Sequence, residues 1–155
     1  MTFALSARSR AELKGVHPDL VAVVGRAIVL TVQDFTVHDG VRTLAQQKAL
    51  VRTGASKTLN SRHLIRPDGF GHAVDLVPWI GGRPRWDWKP IYPIAAAMRR
   101  AAVERGVRIR WGGVWDRLLN DLPETAAGLE AAVRAYCTRH PGPDFIDGPH
   151  FELVG

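Results

Sequence analysis

Two histidines, His63 and His72, lie with Asp75 in residues 61–75, SRHLIRPDGFGHAVD, and a third histidine lies in DGPHFEL, residues 147–153. Imidazole nitrogens and carboxylate oxygens are the donors that hold a divalent cation. A zinc ion in a hydrolase takes three such ligands and keeps one position for water. Cys137 is the sole cysteine, so an internal disulfide and a cysteine-based zinc cluster are both excluded. The candidates are therefore His17, His38, His63, His72, His140 and His150, with the carboxylates near them. His17 and His140 each precede a proline and read as capping or surface residues. His38 ends a strand before the turn Asp39-Gly40.

Strand alternation sorts the remaining three. Asp75 follows His72 by an odd separation in HAVDLV, which places the two side chains on opposite faces of a strand. A carboxylate inside the apolar run AVDLV needs a strong partner or a metal. His63, in the preceding loop, can reach the face of Asp75, with His72 as a neighbour. An ion pair between Asp75 and an arginine is the competing reading. In HFEL, His150 and Glu152 share one face while Phe151 and Leu153 take the other. Phe151 and Leu153 then pack on the core and leave His150 facing a cleft. The Gly148-Pro149 turn can bring Asp147 to the same cleft, where a general base would be wanted. An Asx-type turn accounts for Asp147 equally well.

The elements that must carry these residues follow from local signals. Ser9 to Glu12 reads as a capping box opening a short helix, and Pro18 starts a second helix to Leu30, apolar nearly all round and therefore buried. Gln33 to Val37 is a strand ended by Asp39-Gly40, and the Thr43-to-Gln46 capping box opens a helix to Arg52. Residues 53–71 form a long loop, of the kind that is usually functional. His72 to Val77 is a strand, and residues 78–90 are irregular and carry Trp79, Trp86 and Trp88. Ile91 to Gly106 is a helix, Val107 to Trp111 a strand, Thr125 to Arg139 a helix, and His150 to Val154 a final strand. The pattern is α+β: a small antiparallel sheet with helices packed on it.

Composition bounds the function. The 155 residues suit one domain, residues 1–155, and 46% hydrophobic content supports a sizeable core. The N-terminus is no secretory signal, and the longest apolar run, from Leu20 to Leu30, is too short to span a bilayer. A net charge of +6 suits an anionic partner such as an acidic wall polymer. The basic residues are scattered without a recognition-helix or RNA-binding signature, which argues against nucleic acid.

Taken in order, the motifs resemble the M15 family of peptidases, and within it the phage endolysin branch of L-alanyl-D-glutamate endopeptidases. Ser61-Arg62-His63 resembles the family's Ser-x-His, and Gly71-His72-Ala73-Val74-Asp75 its Gly-x-Ala-x-Asp. Asp147-Gly148-Pro149-His150 resembles its late carboxylate and histidine. Gly40-Val41-Arg42-Thr43 and Trp111-Gly112-Gly113 resemble two further segments, so that the likeness runs from Phe35 to the C-terminus. The gap between His63 and Asp75 is longer than is usual in the family, with Ile65 to Phe70 as an insertion.

The resemblance implies the LAS-type, Hedgehog-like zinc peptidase fold. It implies one Zn²⁺ held by His63, Asp75 and His150, with His63 rather than His72 as first ligand, and Asp147 as general base. It places Arg42 toward the substrate as an oxyanion or carboxylate partner, Ser61 at the loop or the substrate, and Trp111 and Trp115 on the groove wall, with Gly112-Gly113 admitting close approach of a ligand. The activity implied is hydrolysis of the L-Ala-D-Glu bond in peptidoglycan stem peptides. A D-alanyl-D-alanine carboxypeptidase, or a non-catalytic zinc-containing binding module on the same fold, are the alternatives. A monomer made in the host cytoplasm, without stable membrane insertion, would need a holin-like permeabiliser to reach the wall in the periplasm.

Overall fold

The structure, a computed structural model, describes residues 2–142 and 145–155. Helix α1 (Ala7–Glu12) is followed by α2 (Pro18–Leu30), β1 (Phe35–Asp39) and α3 (Leu44–Arg52). After a long loop come β2 (Ala73–Ile80), β3 (Arg83–Pro84), α4 (Ile91–Arg105), β4 (Ile109–Gly112) and β5 (Val114–Leu118). A 3₁₀ turn at Leu119–Asp121, α5 (Ala126–Arg139) and β6 (Asp147–Leu153) complete the order. Every strand pairing is antiparallel, in the order β1-β2-β6-β4-β5, with β3 attached to the end of β2. The architecture is the α+β arrangement expected from the sequence.

Local chemistry sets most of the helix ends. Pro18 stands at the first turn of α2, and the His17 ring caps it by accepting from the Asp19 backbone N–H. Thr43 and Gln46 cap α3 reciprocally, Thr125 caps α5, and Gly106 closes α4 in the left-handed conformation at φ 66°. Helix α4 packs against α2, α5 and the sheet, and its Ile94, Ala95, Met98 and Ala102 lie in the core beside Val74, Leu76 and Phe151. Among the described residues no helix is long and apolar enough to cross a membrane.

Several expectations need correction. The cap of α1 is Ser6, not Ser9; Ser9 is buried inside the helix, where its hydroxyl meets Thr36 and accepts from the Val37 N–H. Helix α2 buries one face only, and Val29 is exposed. Strand β1 lies two residues later than the alternation suggested, and β2 begins after His72 and runs to Ile80, where it turns back into β3. Strand β5 went unread because its sequence, VWDRL, carries two charges on a half-exposed edge. Strand β6 starts at Asp147 rather than His150, so Asp147 is held by strand pairing and not by a free turn.

Candidate metal centre and substrate cleft

Asp75 on β2 and His150 on β6 are direct cross-strand partners, so their side chains stand on the same face of the sheet. The other face carries Val74, Leu76, Phe151 and Leu153 into the core. His63 comes from the long loop, but that loop is stitched down. The His63 N–H donates to Ser61 Oγ at 3.1 Å, its carbonyl accepts from the Arg42 N–H at 3.0 Å, and the Arg62 carbonyl accepts from the His72 N–H at 2.8 Å. The ring is 1% exposed, so it is fixed in place rather than swinging in from a flexible loop.

The ligand atoms of His63, Asp75 and His150 all lie within 4.8 Å of one another. His63 Nε2 is 3.3 Å and His150 Nδ1 3.4 Å from Asp75 Oδ1. The outer nitrogen of each ring is occupied. His63 Nδ1 lies 2.7 Å from the Gly40 carbonyl, and His150 Nε2 lies 2.8 Å from Glu152 Oε1. A carbonyl or a carboxylate can only accept, so each outer nitrogen carries hydrogen and each neutral ring turns its lone pair inward. His63 Nε2 and Asp75 Oδ1 are buried without a hydrogen-bond partner. Buried polar atoms are almost always paired, and two opposed lone-pair donors call for a cation between them. The donor set of two imidazoles and one carboxylate therefore fits a divalent metal.

The remaining oxygen of Asp75 is held by Arg42, whose Nη2 donates to Oδ2 at 3.0 Å. Arg42 Nη1 donates to Gln47 Oε1 at 3.1 Å, and its Nε pairs with Asp39. The competing sequence reading, an arginine ion pair for Asp75, thus coexists with the metal cluster, one on each oxygen. Each of the three guanidinium nitrogens has a partner among the chain's own residues, and Arg42 also lines the cleft beside Asp75. Burial works to raise the Asp75 carboxyl, but the facing His150 and His63 outweigh it and hold it far below the usual range.

Asp147 lines the same cleft and lies outside the ligand cluster. Burial, then repulsion by Asp75, raises its pKa above the ordinary carboxylate value. The cleft has a volume of about 500 Å³ and is walled by His38, Lys57, Trp86, Trp115 and Phe145. Trp115 lies 5.4 Å from the His150 ring and donates its indole N–H to the Phe145 carbonyl. Ser61 also lines the cleft, although it is buried and its oxygen is occupied by the His63 backbone.

Two expectations fail here. Trp111 is fully buried, stacked on Phe151, and donates to the Gly148 carbonyl at 2.7 Å, so it is core and not groove wall. Gly112 does not make room for a ligand. A side chain there would run into the Asp147 carbonyl across the β4–β6 pairing. His72 lies away from the cluster, with Nε2 bonded to Asp68 at 2.6 Å and its ring against His17. His140 pairs with Asp116 at the surface, and His38 packs edge-on against Trp86. Sequence reasoning missed Trp86, Lys57 and Phe145 as cleft residues, because loops far apart in sequence bring them together. It also assigned no role to Glu152, although alternation had placed it on the face of His150.

Residues 1–129 match the family described as phage L-alanyl-D-glutamate peptidase. The chain belongs to that family. It is 32% identical over 120 residues to the L-alanyl-D-glutamate peptidase of Escherichia phage T5, an alignment covering 75% of this chain and 84% of that protein. It is 29% identical over 85 residues to the L-alanyl-D-glutamate peptidase of Listeria phage A118, covering 55% of this chain and 27% of that one. The crystal structure of the Serratia marcescens L-Ala D-Glu endopeptidase ChiX superposes with a TM-score of 0.72 at 37% identity, covering 99% of this chain and 91% of ChiX. The family match ends before β6, the strand that carries Asp147 and His150.

Proposed function

We propose that this chain is a zinc-dependent endopeptidase that hydrolyses the L-alanyl–D-glutamyl bond of peptidoglycan stem peptides. The carrying observation is the convergence of His63 Nε2, Asp75 Oδ1 and His150 Nδ1, two of these three atoms being buried without a hydrogen-bond partner. The substrates named for the relatives supply the bond. His63, Asp75 and His150 would hold one Zn²⁺, which when bound supplies Lewis acidity toward the scissile carbonyl and toward water.

The protein's own groups do the rest. Asp147 accepts the proton of the attacking water as a C–O bond forms at the L-alanyl carbonyl. It returns that proton to the nitrogen of D-glutamate as the C–N bond breaks. Its raised pKa suits that exchange, because a more basic carboxylate takes the proton more readily. Arg42 keeps Asp75 oriented through Oδ2. Trp86 and Trp115 offer flat apolar walls to the peptide, and Lys57 places a positive charge at the rim for its carboxylates. Action on the wall by a monomer, reached with a holin-like permeabiliser, belongs to the same proposal; the phage relatives support the peptidase activity within it.

Digestion of purified peptidoglycan followed by mass analysis tests the reading. New L-alanine carboxyl ends and D-glutamate amino ends, lost with a chelator and regained with zinc, are expected. Release of free D-alanine would replace the proposal with a carboxypeptidase. Intact wall beside a zinc-loaded protein would mean a binding module.

A further inference from the structure

We infer that Arg62 and Glu152 form a positioning pair that turns His150 toward the metal and fastens the loop carrying His63 to the strand carrying His150. This rests on the metallopeptidase reading above. Glu152 lies two residues after His150 on β6, opposite Ala73 of β2, and is 9% exposed. Its two oxygens have different partners. Oε1 takes the His150 Nε2–H at 2.8 Å, and Oε2 takes the Arg62 Nε–H at 3.2 Å. Arg62 immediately precedes His63, and its carbonyl is bonded to the His72 N–H just before β2.

A carboxylate cannot donate, so Glu152 fixes which nitrogen of His150 keeps its hydrogen and which faces Asp75. An imidazole without that acceptor can rotate or change tautomer, and the inward lone pair is then no longer guaranteed. A buried carboxylate is itself costly without a cation, and Arg62 supplies one. The same guanidinium is fixed to the loop whose next residue is a ligand. One ion pair therefore sets the orientation of one ligand and the approach of another.

The test is the zinc affinity of the full chain, measured by competition with a chromophoric chelator, alongside the absorption spectrum of the cobalt-substituted protein. Wild type is compared with Glu152→Ala, Glu152→Gln, Arg62→Met and the Glu152→Ala/Arg62→Met double variant. Glu152→Ala is expected to weaken zinc binding by about 10–100-fold and to shift the cobalt spectrum. Glu152→Gln should recover most of the loss, because its amide oxygen still accepts from Nε2–H. Arg62→Met should lose less, and the double variant no more than Glu152→Ala alone. A Glu152→Ala protein binding zinc within about twofold of wild type, or a Gln variant no better than Ala, would overturn the inference. Should Glu152→Ala fail to fold, Arg62→Met decides, and unchanged affinity there overturns it. A wild-type protein that binds no zinc would sink the proposed function instead.

Discussion

Asp75 and His150 are paired residue to residue across β2 and β6, with His150 Nδ1 3.4 Å from Asp75 Oδ1. At that distance a protonated His150 ring forms an ion pair with Asp75. Burial lowers the pKa of His150, but Asp75 and Glu152 outweigh it and push it up to about 9 from 6.5. A metal ion held by His63, Asp75 and His150 would have to displace the His150 proton, so zinc binding at about pH 7.5 should release close to one proton, read by calorimetry in buffers of different ionisation enthalpy. The sign for stability follows from the raised folded-state pKa. The contribution of His150 is complete below its unfolded value and is lost as pH rises through about 9. The melting temperature of chelator-treated protein should fall across that window, and the zinc-loaded protein should not follow it. A flat melting temperature of the chelated protein there would contradict the assignment.

Asp147 shares the cleft with the ligand cluster without belonging to it. Asp147→Asn keeps the shape and removes the base. Hydrolysis should drop by at least about 10²-fold while zinc stays bound at one per chain, since proton transfer by a positioned group contributes about 10²–10⁴-fold. Metal content and turnover measured on the same sample decide it. Loss of zinc together with activity would make Asp147 a ligand rather than a base.

Arg42 binds Asp39, Gln47 and Asp75 at once. Arg42→Met leaves two partly buried carboxylates without their cation. The expected result is destabilisation of about 1–3 kcal/mol, read by denaturant unfolding, together with weaker zinc binding. A substrate-facing arginine would behave differently, with kcat or KM changing while stability and zinc affinity stayed at wild-type values.

Features governed by near neighbours in sequence were legible before the fold was. The Thr43–Gln46 box, Pro18 at the start of α2 and Gly106 at the end of α4 all act within one helical turn. The alternation of HFEL placed Phe151 in the core and His150 and Glu152 on one face, and the parity of His72 and Asp75 separated them. Contacts over long sequence distances could not be read. Ser9 resembled a cap because Glu12 follows it by three, yet packing against Thr36 drew it into the helix interior. The Gly40 carbonyl that orients His63 is a backbone group with no side-chain signature. Gly112 and Trp111 looked like a ligand-facing pair, but their neighbours are the Asp147 and Gly148 carbonyls of β6, which only the strand register supplies.

The contrast between Trp111 and Trp86 separates core from cleft. Trp111 is fully buried, whereas Trp86 is 56% exposed and lines the cleft. Trp111→Ala should cost about 3–5 kcal/mol through the cavity it leaves. Trp111→Phe keeps most of the ring but strips the Gly148 carbonyl of its donor, at about 1–3 kcal/mol. Gly148 lies between Asp147 and His150, so this milder variant should also lower kcat. Trp86→Ala should leave stability within about 0.5 kcal/mol of wild type and raise KM for the stem peptide. Unfolding curves and steady-state kinetics on the three variants distinguish the roles. If Trp86→Ala left KM unchanged, the peptide would not run along that wall, and Trp115 with Phe145 would define its path.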